Sequence, residues 1–264
     1  MTAVNNIEVD GLVAYYSGRK VLKGIDLAVR DGEIMVIMGG SGAGKSTLFR
    51  HLLGLASPAE GSVRLLGRDL ATLSQLEMLD LRRRMGVAFQ SGALFSSLTL
   101  AENIMLPLRE HTDLAERTIE IIARLKLEVV DLAGFGHLMP AELSGGMVKR
   151  AALARAIVTD PQLLFCDEPS AGLDPVISSS IDDLILRLRD AMGMTMVVVT
   201  HDLDSAFKIA DRICVLDDGE VIAIGTRDEI RANPSESVQN LLNRRSKEVT
   251  LDTDAYLRRL LGES

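Results

Sequence analysis

Tryptophan is absent from this 264-residue chain, and aromatic residues make up 3% of it. The core must therefore be aliphatic, built from Leu, Ile, Val, Ala and Met. With 47% hydrophobic residues there is material for one large domain and a small appendage. Cysteine is scarce too. Cys166 and Cys214 each sit inside an apolar run, and no CxxC pair or His/Cys cluster appears, so neither a disulfide framework nor a cysteine metal site is expected. No hydrophobic run approaches the roughly 20 residues of a spanning helix, so action at a membrane would need another chain to supply the span. The opening MTAVNNIEVDG lacks a basic region and a long apolar run, which predicts no secretory leader. Positive charge is in deficit, at a net −8. That argues against a general nucleic-acid partner but leaves room for a local phosphate pocket.

What is present is strands alternating with helices. Residues 7–16 and 24–29 read as strands with Gly18 in the turn between them. A short all-apolar run at 34–38, ending in glycines, and the runs at 85–89, 163–166 and 195–199 read as strands buried on both faces. Helical spacing marks 45–53, 114–125, 147–158 and 176–192, with a short helix at 205–210 and a hairpin around Asp218-Gly219. This alternation predicts a mainly parallel sheet covered by helices on both faces. The helical middle, about 90–161, reads as an insertion. From Asn233 the composition changes, with Pro234, the pair Arg244-Arg245 and an amphipathic stretch at 254–261, which predicts an extension (233–264) outside a core of residues 1–232.

The sharpest motif is Gly39-Gly40-Ser41-Gly42-Ala43-Gly44-Lys45-Ser46, which fits G-x-x-x-x-G-K-[ST] between a buried strand and a helix. Glycines allow the backbone to wrap a polyphosphate, and successive N–H groups then face inward at a helix N-terminus. Lys45 is expected on the β- and γ-phosphates and the Ser46 hydroxyl on Mg²⁺, with Thr47 completing the nucleotide-binding set. Downstream, four apolar residues end in Asp167-Glu168. Adjacent acids at the end of a buried strand carry a desolvation cost that calls for a purpose. Alternation along a strand sends the two side chains different ways, so Asp167 is expected at the metal and Glu168 as the base for an attacking water.

Between these sites stands Leu143-Ser144-Gly145-Gly146-Met147, and here the chain resembles the ABC ATPases, matching their LSGGQ signature at four of five positions, with Met for Gln. The other motifs of that family follow in order: Tyr16 as the adenine-stacking aromatic (Tyr15 is its neighbour), Gln90 in the Q-loop, Ser170-Ala171-Gly172-Leu173-Asp174 as the D-loop, and His201 as the switch histidine. The resemblance spans about residues 7–230. It implies a P-loop NTPase of α/β class with an antiparallel β subdomain and an inserted α-helical subdomain. It further implies ATP as substrate with Mg²⁺, and a head-to-tail homodimer in which Ser144, Gly145, Gly146 and Asp174 of one copy complete the nucleotide site of the other. Gln90 and His201 join Glu168 in catalysis, and Gln90 joins Ser46 and Asp167 around the metal. The departure at Met147 leaves the phosphate-facing Ser and Gly residues in place.

Residues 90–99 lead into Glu102-Asn103 and then Pro107-Leu108-Arg109-Glu110-His111-Thr112; with Lys149-Arg150 after the signature, this looks like the Mla subgroup. That resemblance implies an integral-membrane permease partner, a periplasmic MCE-domain lipid-binding subunit and a STAS-domain protein. It also implies a place on the cytoplasmic face of a bacterial inner membrane and movement of phospholipid between membranes. The rival expectations are lipoprotein release, solute import, or a non-transport ABC ATPase. The last usually brings coiled-coil insertions or a second ATPase domain, neither of which is seen.

Overall fold

The computed structural model describes residues 4–243, so Arg244, Arg245 and the 254–261 stretch lie outside the described residues. Strands β1 (Asn5–Tyr16), β2 (Arg19–Arg30), β4 (Glu60–Leu65) and β5 (Arg68–Asp69) form an antiparallel sheet in the order β2-β1-β4-β5. β2 begins five residues earlier than the sequence predicts. Ser17 and Gly18 both take positive φ, which closes the turn tightly enough for Tyr16 to pair with Arg19.

The second sheet has the order β10-β9-β3-β8-β7-β6. It comprises β3 (Ile34–Gly39), β6 (Met85–Ala88), β7 (Leu163–Asp167), β8 (Thr195–Val199), β9 (Arg212–Asp217) and β10 (Glu220–Thr226). All neighbours are parallel except the β9–β10 hairpin. Period-two alternation divides these strands between two cores. Ile34, Val36, Leu164, Cys166, Met196 and Val198 face one, packed against the helical middle. Met35, Ile37, Leu163, Phe165, Val197 and Val199 face the other, packed against α1 (Lys45–Leu52) and the antiparallel sheet. Phe49 and Phe165 meet edge to face across the second core, with centroids 6.0 Å apart. Both cysteines are fully buried, and burial pushes each thiol up to about 12.

Four helices in this arrangement went unread in the sequence, one of them the five-residue helix at Arg227–Arg231. α2 (Gln75–Arg83) buries Leu81 but leaves Leu76 and Leu79 in solvent, so its periodicity is faint; its S-x-x-E capping box, Ser74 with Glu77, was the available signal. α3 (Leu100–His111) carries Pro107 in its interior, which locally reads as a helix end. It is fixed by a Thr99–Glu102 capping box and by fully buried Asn103, whose amide holds the carbonyls of Phe95, Leu98 and Thr99. α4 (Glu116–Val129) sits a few residues later than its predicted 114–125. α5 (Gly145–Ala156), α6 (Pro175–Met192), α7 (Leu203–Ile209) and α8 (Arg227–Arg231) complete the layers. The last unread helix, α9 (Glu236–Leu242), docks Val238, Leu241 and Leu242 onto the first core. Residues 236–242 are therefore packed into the body of the domain, although composition assigned them to the extension.

Candidate nucleotide site

β3 ends at Gly39 and the chain turns directly into α1, whose N-cap is Gly44 in the left-handed region at φ 102° with no side-chain cap. The turn is held from behind. A Cβ on Gly39 would stand 2.3 Å from the Leu216 carbonyl oxygen, and one on Gly44 would stand 2.7 Å from Leu22 Cδ2. At Gly40 and Gly42 an added Cβ would meet nothing within 4 Å, so that rim opens outward. Backbone N–H groups at an uncapped helix start, wrapped by glycines, form an anion cradle. Lys45 folds over it, donating to the carbonyls of Gly39 and Gly40 at 2.7 and 2.9 Å. Burial pulls its ammonium below the usual range, against the upward influence of Glu168 and Asp167.

The cradle is the floor of a cleft of about 1020 Å³. Residues Gly40 to Thr47 line it, together with Tyr15 and Tyr16, both exposed, the latter at 69%. Sequence reasoning missed the far wall, where Ser237, Asn240 and Leu241 of α9 face the same space. His51 also lines the cleft, its Nδ1 donating to the Thr47 carbonyl at 2.7 Å. No local pattern announces residues that reach a site from another element.

The carboxylates lie at the C-terminal end of β7. Asp167 closes the strand; burial first, and Glu168 second, hold its carboxyl above the usual range, opposed by Lys149 and Lys45. Glu168 lies beyond the strand at φ 49°, a left-handed conformation rare for a residue with a side chain. Its N–H donates to the Val199 carbonyl at 2.8 Å. Its carboxylate accepts from Thr200 Oγ1 at 3.3 Å and from His201 Nδ1 at 2.7 Å. The φ reversal, rather than simple strand alternation, separates the aims of the two acids. Thr200 is a contributor the sequence had not singled out.

Ser46 and Asp167 offer one hydroxyl and one carboxylate, and no group of three or more His, Cys, Asp or Glu side chains converges on a metal position among the described residues. That donor set fits Mg²⁺, which takes one or two protein oxygens and completes its shell with phosphate and water.

Asp167, Glu168 and His201 lie beside the cleft rather than in its lining, and Ser144, Gly145, Gly146, Gln90 and Asp174 are not among the lining residues either. The signature and the D-loop instead share a second surface. Ser144 caps α5, accepting from Met147 N–H; Asp174 caps α6, accepting from Val176 and Ile177 N–H. The two turns touch: a Cβ on Gly145 would stand 3.2 Å from Leu173, and one on Gly146 would stand 2.8 Å from Ile177. Gln90 is exposed, two residues past β6.

A phosphate cradle, a carboxylate pair beside it and a glycine turn on a separate surface define a P-loop ATPase of the ABC type, and the chain belongs to the ABC transporter family, whose model matches residues 22–171. Among its relatives, the intermembrane phospholipid transport system ATP-binding protein MlaF of Haemophilus influenzae is 44% identical over 226 residues, 86% of each chain. MlaF of Escherichia coli K12 is 41% identical over 225 residues, 85% of this chain and 84% of its own. A probable ribonucleotide transport ATP-binding protein, mkl, of Mycobacterium tuberculosis is 38% identical across 91% of this chain and 67% of its own. In structure, the dimeric post-hydrolysis cassette MJ0796 bound to ADP and Pi matches with a TM-score of 0.76 at 32% identity, covering 84% of this chain and 98% of that one. CbiO1 of Clostridium perfringens matches at 0.80 and 30%, covering 97% and 99%. The fold is the mixed α/β arrangement expected, and the chain is an ATP-binding subunit of transporter type.

Proposed function

We propose that this chain is the ATP-hydrolysing subunit of a phospholipid-moving ABC system. It acts as a homodimer under an integral-membrane permease at the cytoplasmic face of a bacterial inner membrane. The observation that carries the chemistry is Glu168, held at both carboxylate oxygens by Thr200 and His201 and electrostatically linked to Lys45 of the phosphate cradle. Glu168 takes a proton from water as the water oxygen attacks the γ-phosphorus; the bond to the bridging oxygen breaks, giving ADP and phosphate. His201 and Thr200 fix the direction in which the carboxylate points. Lys45 draws the β- and γ-phosphate oxygens into the cradle, and Tyr16 offers its ring to the adenine. Ser46 and Asp167, with Gln90, would hold Mg²⁺, which when bound neutralises the charge developing on the phosphates.

The dimer reading rests on the separation of surfaces. The signature turn and D-loop pack on each other beside Val176, which is 79% exposed, so a second copy is the natural source of a further wall for the site. Phospholipid as cargo rests on the MlaF relatives, which exceed the solute-transport relative in identity, 44% against 38%. The same likeness brings in a periplasmic MCE-domain subunit and a STAS-domain protein. A permease surface is available after the Q-loop, where Asn103 holds the backbone around exposed Phe95. No helix among the described residues is long and apolar enough to cross a membrane. The test is purification of the intact complex, followed by mass spectrometry of its subunits and bound lipid. Co-purified phospholipid that leaves on ATP turnover supports the reading; a complex retaining nucleotide or solute but no lipid overturns the cargo.

A further inference from the structure

α5 begins at the signature turn and carries two cations, one buried and one half-buried, that reach back to neighbouring loops. Lys149 is buried, with 8% exposure. Its ammonium donates to the carbonyl of Gln90 at 2.6 Å and to the carbonyl of Glu168 at 2.9 Å. Those carbonyls belong to different loops. Both loops leave the same end of the parallel sheet, where Ala88 of β6 pairs with Cys166 of β7. Arg155, further along α5, donates to the carbonyls of Ala93 and Gly92 at 2.7 and 3.1 Å. Close packing reinforces the contact, since a Cβ on Gly92 would stand 2.6 Å from Val148 of α5. One helix thus grips the Q-loop at three carbonyls and the catalytic segment at one.

The grip on Glu168 falls at a demanding place. Its φ of 49° is sparsely populated for a residue with a side chain and persists only where neighbours over-determine it. The residue's N–H is taken by Val199 and its carbonyl by Ala171 N–H and Lys149. The carbonyl direction at this residue fixes the peptide plane from which the carboxylate projects. A buried ammonium with two carbonyl partners and two carboxylates nearby is also a costly group to keep for packing alone.

We propose that Lys149 is a positioning residue: it clamps the backbones of Gln90 and Glu168 to the signature helix, so that movement of α5 shifts the Q-loop and the hydrolytic carboxylate together. The amine takes no part in the chemistry. The proposal rests on Glu168 being the base. A change in the signature surface then reaches the water-activating residue through the single hydrogen bond from Lys149 to the Glu168 carbonyl, without the nucleotide itself as intermediary.

The test compares K149M and K149R with the native full-length chain in its permease complex, measuring kcat, KM for ATP, binding of a fluorescent ATP analogue, and melting temperature. K149M keeps most of the unbranched side chain and removes the ammonium that makes both hydrogen bonds. Its kcat is expected to fall roughly 100-fold, the cost of an ångström-scale misplacement of a catalytic group. KM and analogue binding should stay within about threefold, because Lys149 touches nothing in the phosphate cradle. K149R keeps a cationic donor and should recover at least about tenfold of the lost kcat. Native kcat in K149M overturns the clamp. So does parallel loss of binding, or a K149R as slow as K149M when both melt like the native chain. Should K149M fail to fold, K149Q retains one amide donor: an intermediate kcat supports the clamp, and native kcat overturns it. Native turnover in Glu168→Gln would instead overturn the base assignment, whatever Lys149 does.

Discussion

Two glycine-rich turns open helices in this chain, and they are built on different physics. The turn before α1 is capped by no side chain; Gly44 takes a left-handed φ, and Gly39 lies against the Leu216 carbonyl where no Cβ fits. The turn before α5 is an ordinary N-cap, with Ser144 in extended geometry and its hydroxyl on the Met147 N–H. The first is a backbone cradle whose shape is fixed by what packs behind it. The second is a half-site, chemically suited to an anion but presenting a single face. A phosphate group can be enclosed by the first alone and completed by the second when another copy supplies it.

The largest effect that bears on this contrast is at the carboxylate serving the cradle. Glu168→Gln should lower ATP turnover by about 10²- to 10⁴-fold, the usual weight of a general base, while leaving ATP binding intact and prolonging the life of the nucleotide-bound dimer. Steady-state phosphate release together with light scattering would report both. Residual turnover close to native would move the base role elsewhere.

Next in size is a matched pair of glycine substitutions. Gly39→Ala forces a Cβ into the Leu216 backbone, where nothing flexible can yield, and should lower the melting temperature and abolish nucleotide binding. Gly145→Ala meets the end of the Leu173 side chain at 3.2 Å and should leave the fold and single-chain nucleotide binding near native. Equal damage in binding and melting experiments would erase the distinction between cradle and half-site.

The smallest effect is Ser144→Ala. Loss of the N-cap should cost about 1 kcal/mol, which in a domain of this size lowers the melting temperature by about 2–4 °C. On the proposed dimer, in which this hydroxyl meets the partner's phosphate, dimer formation with ATP should weaken in addition. A melting shift with unchanged dimerisation would reduce Ser144 to a cap.

Much of this was legible in the sequence. The phosphate loop and the acid pair are local patterns whose placement follows from strand and helix geometry, whereas His201 was legible only through the resemblance to the ABC ATPases. The all-apolar run at 34–38 and the Val-rich run at 195–199 fit strands covered on both faces. What escaped did so for identifiable reasons. α2 exposes two leucines and buries one, and α3 contains a proline. α9 is joined to the core by packing of Val238, which composition near Asn233 disguised. Lys149 stood in plain view after the signature but read as a family mark, because nothing nearby in the chain reveals that its amine spans to residues 59 and 19 positions away.

The sequence by itself determined the elements and the chemical inventory: which strands are buried, where a polyphosphate can be wrapped, which acids end a strand. Those are properties of neighbours in the chain, governed by backbone periodicity and glycine freedom. The tertiary structure alone decided that Glu168 turns left-handed under Thr200 and His201, that α9 walls the cleft, and that α5 ties two loops together. Each of these depends on groups distant in sequence satisfying one another's buried polar atoms, and that pairing exists only once the chain has folded.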